Sequence, residues 1–271
     1  MRKNINFIDG WGKPATLVWG GDWSHVRGNS ADFSYADLSG ADLTPLGDLC
    51  GANFRGANLS NTTRTHTIDI FSLIAYDADF TQANLSKASY PTSFPGFPGA
   101  YMVRSKFNGA NLTEINLSNA DLTSADLSAA DFTKANLTST VLVGTVCGST
   151  NFSQANLTNA DLHGADLSCA NFTGAIMIGA NLGRVDTSTD FTDADLSYAD
   201  FSHAFLDEAN FTKANLFKAN FSHARKLNKE EDWSGASFRG ANLTEAIFDP
   251  DHKFEGDAYI GATLPDGTLY R

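Results

Sequence analysis

The sequence predicts an all-β solenoid whose four-sided rungs each take about twenty residues. Three observations predict it. A large apolar residue recurs at every fifth position, a small residue stands two places before it, and phenylalanine returns about every twentieth. From Met102 to Leu182 the five-residue series runs unbroken through Phe107, Leu112, Leu117, Leu122, Leu127, Phe132, Leu137, Leu142, Cys147, Phe152, Leu157, Leu162, Leu167, Phe172 and Met177. The residue two places earlier is Ala except at Ser105, Ile115, Thr140, Thr145 and Thr150.

A helix cannot produce this pattern. Five residues at ~100° each leave successive large residues about 140° apart, so no apolar stripe forms. An extended segment accounts for three residues of each five. In Ala120-Asp121-Leu122, alternation sends Ala and Leu to one side and Asp to the other. The remaining two residues must turn the chain, so that the next triplet faces the same interior. Repeated turns of one sense make a coil, and stacked coils make a solenoid.

Phenylalanine sets the number of sides. Phe132, Phe152, Phe172, Phe191 and Phe211 recur at a twenty-residue interval, with one interval shorter by one where the repeat loses a residue after Leu182. Four five-residue edges therefore close one turn, and these rings should stack in one internal column. Trp233 is expected to continue it, given a two-residue insertion between Lys226 and Asp232.

Taken along the chain, residues 1–30 carry Trp11, Trp19 and Trp23 outside the repeat and read as an N-terminal cap built on a short hairpin. The repeat spans residues 31–248, with one extra residue near Pro45. A degenerate patch at Ile68–Ala75 follows, where Leu73 takes the small place and Ala75 the large one. Two Pro and two Gly in Ser93–Gly99 forbid ladder pairing, so 93–99 is expected to be an extruded loop. Residues 249–271 read as the C-terminal cap, with a turn at Asp266-Gly267. Caps are required because an open solenoid exposes both a sheet edge and apolar core at its ends.

Stretches such as Ala120-Asp121-Leu122-Thr123-Ser124 and Ala155-Asn156-Leu157-Thr158-Asn159 resemble the pentapeptide repeat family, whose pattern is Ala-(Asp/Asn)-Leu-x-x. The richness in Ala-Asp-Leu and Ala-Asn-Leu is similar to that of cyanobacterial members. The resemblance implies a right-handed quadrilateral parallel β-helix. Counting degenerate pentads gives about ten coils, on the order of 50 Å of rod.

Composition narrows the function. With 19 Lys and Arg against 31 Asp and Glu the net charge is −12, which opposes direct binding to nucleic acid. No apolar run reaches the ~18 residues of a membrane span. Three cysteines give neither a disulfide framework nor a four-thiolate zinc site. A cytoplasmic protein without cofactor is expected.

The outward residues can be read in columns. Asp and Asn alternate from coil to coil, which keeps like charges off neighbouring strands and lets Asn form amide ladders. Stacked Asp pairs should be nearly absent. His203 and His223, twenty residues apart, should stack with Asp200 nearby, a weak metal candidate. The segment Asp186–Glu208 holds seven acids and no Lys or Arg, and reads as a solvated acidic belt. Candidate partner contacts are the loop residues Phe94 and Phe97, the valines Val141, Val143 and Val146, and Ile176, Ile178 and Phe217, with Tyr198 at their edge. Cys147 falls on an interior position, which makes an inert thiol.

No catalytic motif stands out from the repeat. The leading expectation is a non-enzymatic rigid scaffold that binds a protein partner. The family resemblance offers an alternative, an acidic imitation of duplex DNA that binds a type II topoisomerase. Against it, one Asp every second coil is sparse beside one charge per ~3.4 Å of each DNA strand, and no C-terminal dimerisation helix is evident. A β-helical carbohydrate-active enzyme is the more distant alternative.

Overall fold

A computed structural model describes residues 4–8, 14–18, 28–43, 49–62, 75–88, 102–186, 188–224, 236–250 and 252–271. Near the N-terminus β1 (Asn4–Ile8) and β2 (Pro14–Val18) pair antiparallel, Asn4 opposite Val18 and Ile8 opposite Pro14. The expected loop 93–99, the patch before Ala75 and the four tryptophans lie outside the described residues.

The rest is a β-helix held by single parallel bridges between successive turns. Each parallel bridge falls on the outward middle residue of a pentad, most often Asp or Asn, as alternation requires. The bridges form four columns. Face 1 runs Asp32, Asn53, Asp79, Lys106, Asp126, Val146, Asp166, Asp186 and Phe205. Face 2 runs from Asp37 through Asn111, Asp131, Asn151, Asn171, Asp190 and Asn210 to Ser237. Face 3 holds Asn116, Asn136, Asn156, Ile176, Asp195, Asn215, Asn242 and Thr263, and face 4 holds Asp121, Val141, Asp161, Asn181, Asp200, Asn220 and Ile247. In the central rungs partners stand 20 residues apart, as from Asp131 to Asn151. The steps widen to 21, 26 and 27 in the N-terminal half, where the chain inserts residues between rungs.

Among the described residues nearly every corner is a closed turn. The amide of Ala125 donates to the carbonyl of Leu122 at 2.9 Å, and Ala160 to Leu157 at 2.9 Å. The third residue of each such turn has positive φ, for example Ser124 at 57°, Ala129 at 56° and Lys213 at 59°. A turn of type II requires that sign. Among the described left-handed residues other than Gly, none is Val, Ile or Thr, because a branched Cβ is the most crowded there.

Inside, the large residues are buried, with Phe248 near the C-terminal end half-buried, and the small ones pack beside them. Ala75 takes the large place, as expected: it accepts the turn hydrogen bond from Ala78 at 3.4 Å and is buried. Thr140 and Thr150 in the small place donate their hydroxyls to the carbonyls of Leu117 and Leu127, at 2.9 and 2.8 Å. Burial therefore leaves these hydroxyls satisfied.

The aromatic column on face 2 stacks as predicted. Ring centroids lie 5.1 Å apart from Phe132 to Phe152, 4.7 Å on to Phe172, 5.3 Å on to Phe191 and 5.0 Å on to Phe211. Its continuation differs from the expectation. Phe238, not Trp233, follows Phe211 at 4.9 Å, and Tyr259 follows Phe238 at 5.3 Å. The bridge from Asn210 to Ser237 shows why: the insertion is seven residues rather than two. Beyond Phe248 the ladder continues through Tyr259 and Thr263, and the chain then turns at Leu264–Gly267 to bridge Leu269 antiparallel to Thr263.

Candidate functional site

The surface is built from one repeated unit. The backbone amide two residues after nearly every described outward Asp or Asn donates to that side chain, as Thr123 does to Asp121 Oδ1 at 2.9 Å. The Thr123 hydroxyl donates to the same oxygen. This is an Asx turn, and it fixes the outward carboxylate or amide at the corner's entry. Where Asn lies over Asp, its Nδ2 also donates to the previous rung: Asn181 to Asp161 at 2.9 Å, Asn215 to Asp195 at 3.0 Å, Asn220 to Asp200 at 3.0 Å. The predicted amide ladders are therefore present. Asp can only accept, so an Asp above an Asp has nothing to donate.

Stacked Asp pairs are nearly absent, as expected: among the described residues one bridge joins two Asp. Asp166 and Asp186 bridge directly on face 1. Burial, with Asp166 and Asp207 adding repulsion, holds the Asp186 carboxyl above its ordinary range. On the same face the Asp126 carboxyl is also pushed up by burial, but hydrogen bonds from Ser128 and Asn108 outweigh this and hold it below its usual value.

His203 and His223 stack with ring centroids 5.0 Å apart. The expected helper is not Asp200, whose Oδ1 accepts from the Ser202 amide and from Asn220. Asp249 meets His223 instead, its Oδ1 2.9 Å from the backbone amide and 3.6 Å from Nδ1. Among the described residues no group of three or more His, Cys, Asp or Glu could hold a metal ion. Cys147 is interior as expected, and burial pushes its thiol up to about 12. Cys169 is exposed at a corner.

The predicted contact residues separate into two sets. Val141 and Val143 are half-buried, and Val146 is 44% exposed on the next face. Ile176 and Ile178 lie on one rung of face 3, Tyr198 on the next and Phe217 on the one after, a ridge by position in which Ile178 and Phe217 are half-buried. Ile176 is 43% exposed on face 3, and Tyr198 is 55% exposed at the corner between faces 3 and 4. Tyr198 meets Phe217 edge to face, centroids 5.6 Å apart. Sequence reasoning missed Lys218, whose ammonium lies 5.1 Å from the Phe217 ring and 5.9 Å from the Tyr198 ring. Its signal was its place one residue after Phe217 and one rung above Tyr198. Phe94 and Phe97 lie outside the described residues.

The chain was compared with known proteins. No curated protein matches it. Solved structures do. HetL, a pentapeptide repeat protein involved in heterocyst differentiation regulation from the cyanobacterium Nostoc sp. strain PCC 7120, is 27% identical, with 86% of this chain and 87% of that one covered and a TM-score of 0.42. QnrB1, a plasmid-mediated fluoroquinolone resistance protein, is 20% identical over 75% of this chain and 91% of its own, with a TM-score of 0.38. A pentapeptide repeat protein of the Arabidopsis thaliana thylakoid lumen is 27% identical over 47% of this chain and 82% of its own, with a TM-score of 0.21. The family model described as pentapeptide repeats matches in 8 copies at residues 16–44, 100–138, 146–186 and 189–225. With more than half of its residues matched and its rungs closing every four pentads, this chain belongs to the pentapeptide repeat family.

Proposed function

We propose that this protein is a non-enzymatic, rigid scaffold that binds a protein partner. In this reading it is a right-handed helix of about ten coils over residues 31–248, with 1–30 and 249–271 as caps and 93–99 as an extruded loop. It works in the cytoplasm, a reading that the exposed Cys169 thiol supports. The observation that carries the scaffold reading is the ridge Ile176–Ile178–Tyr198–Phe217. Apolar side chains there stand out on a framework whose corners and rungs are closed by hydrogen bonds, so little ordering is needed on binding.

The polar lattice argues against the DNA-mimic alternative. On face 4 Asn181 and Asn220 alternate with Asp161 and Asp200, and face 3 carries mostly Asn, so amides that bear donors stand where a phosphate backbone presents acceptors alone.

The test is capture of other proteins from source lysate on the immobilised chain, set beside Ile178→Asp with Phe217→Asp and beside a chain lacking 93–99. Loss of a specific heterologous protein with either variant supports the reading. Identical capture by all three overturns these contact residues. Inhibition of purified type II topoisomerase supercoiling at micromolar protein would instead establish the mimic.

A further inference from the structure

Face 3 carries a charge pattern that matches itself when inverted. Three rungs present it. The rung of Asp195 places Asp193 on the corner between faces 2 and 3, and Tyr198 on the corner between faces 3 and 4. The next rung, that of Asn215, places Lys213 directly after Asp193 and Lys218 directly after Tyr198 on the same two corners. Below them the rung of Ile176 has Gly174 and Gly179 at those corners, so nothing bulky stands beside Ile176 there. Asp193, Tyr198, Lys213 and Lys218 are all exposed. Lys218 pairs with Glu245 of the following rung at 3.2 Å.

We propose that face 3 is a self-association surface on which a second copy of this chain docks with its rod axis reversed. The two-fold axis runs across the face between the rungs of Asp195 and Asn215. An in-plane axis of that direction keeps each corner against the same corner and exchanges the two rungs. Asp193 of one copy then meets Lys213 of the other, and Lys213 meets Asp193. Tyr198 meets the ammonium of Lys218 of the other copy, which extends the cation–π contact already made within each chain. Asp195, an acceptor, comes opposite Asn215, which carries donors. Every such contact occurs twice, as an isologous interface requires.

The reversed arrangement is selected by charge. With the rods parallel, the axis would run along the rod and exchange the two corners within one rung. Lys213 would then face Lys218 of the other copy, and Asp193 would face Tyr198. Like charges in register are costly at an interface. Tyr198 and Phe217 would lie beside the axis at the corner between faces 3 and 4, and the Asp193–Lys213 pairs would stand at the corner between faces 2 and 3. A contact over six rungs is ~29 Å long. This association stands on the ridge and the charge rows alone, and it does not depend on any other partner.

The experiment is sedimentation equilibrium of the full chain across the micromolar range, with Asp193→Lys and Lys213→Asp as variants. Each variant alone places like charges at both symmetric contacts, and its dimer should weaken by about tenfold or more. Mixing the two variants restores opposite charges at both contacts, and the mixture should dimerise like the wild type. Raising salt to about 1 M should weaken the wild-type dimer, because a rim of exposed charges is screened. Circular dichroism of each variant confirms that the rod is intact. A wild type that stays monomeric throughout overturns the proposal. So does a dimer that both variants form unchanged, or one that mixing does not rescue. Loss of heterologous capture with an intact dimer would count against the scaffold reading alone.

Discussion

The rungs before Leu182 and those after it fill the same square interior in two ways. Central rungs carry a single Phe on face 2, as Phe132, Phe152 and Phe172, with Leu, Met or Cys on the other sides. The rungs from Phe191 to Phe248 carry two, on face 2 and face 4. The second column stacks Phe201 on Phe221 at 5.0 Å and Phe221 on Phe248 at 4.9 Å. The two columns meet edge to face across the interior, Phe191 to Phe201 at 86° and Phe201 to Phe211 at 90°. Further toward the N-terminus the single column lies on face 1 instead, as Phe33, Phe54, Phe80 and Phe107. The face that holds the ring is thus free to change. What persists from rung to rung is a ring stacked on its neighbour one rung away, because only equal shapes in register leave no void.

This comparison makes its largest prediction at Phe211. Phe211→Ala and Phe132→Ala each remove a fully buried ring, at about 3–5 kcal/mol. Phe211 also loses stacking on Phe191 and Phe238 and edge contacts with Phe201 and Phe221, whereas Phe132 stacks on Phe152. Each aromatic pair adds about 0.5–1.5 kcal/mol, so Phe211→Ala should be the more damaging of the two in urea denaturation. Equal losses would mean that the second column contributes nothing by its geometry.

Next is Ala160→Leu, which adds three carbons to a small interior place that is 1% exposed. It should destabilise by about 1–3 kcal/mol. A wild-type melting temperature would break the claim that central rungs have no spare volume.

Both regions share the left-handed corner. Ala129→Val in the first and Lys213→Val in the second should therefore cost similar amounts, about 1 kcal/mol, since each forces a branched Cβ into positive φ. A cost at one site alone would show that corner strain depends on the interior after all.

The smallest effect lies where the regions meet. Asp186→Asn supplies an amide donor toward Asp166 and removes the stacked charge. The Asp186 carboxyl is raised in the folded protein, so its protonation favours folding, and that favourable contribution disappears as pH rises through the folded value. The variant should gain a few tenths of a kcal/mol at neutral pH, a modest figure for a largely exposed pair. The gain should fade as pH drops through the carboxylate range. Melting curves from pH 3 to 7 would read it.

The rung was legible because its two signals, Ala-x-Leu alternation and the twenty-residue return of Phe, are direct consequences of burial. Insertions were less legible. Between Phe211 and Phe238 the count of extra residues could be placed only by knowing which ring lands on the column, and Trp233 offered a competing aromatic. The corners escaped notice for another reason. Left-handed φ is usually announced by Gly or Asn, but here Ser, Lys, Glu, Gln and even Tyr198 adopt it, because the next rung fixes the backbone. Of the surface, the stacked histidines and the ridge could be read as columns. Lys218 and Asp249 could not, since neither belongs to the apolar or the Asp/Asn pattern.

The twenty-residue rung itself is tested most directly by distance. Ser124, Arg184, His203 and His223 lie on one corner column, at the turn position with positive φ. Spin labels on cysteines at 124 and 203, and at 124 and 223, in a chain with Cys50→Ser and Cys169→Ser, report their separations by pulsed electron resonance. With rungs stacked at ~4.8 Å, the separations should be about 19 Å and about 24 Å, each with a narrow distribution. Distances that fail to grow by one rung spacing, or that spread broadly, would contradict the lattice on which every surface column depends.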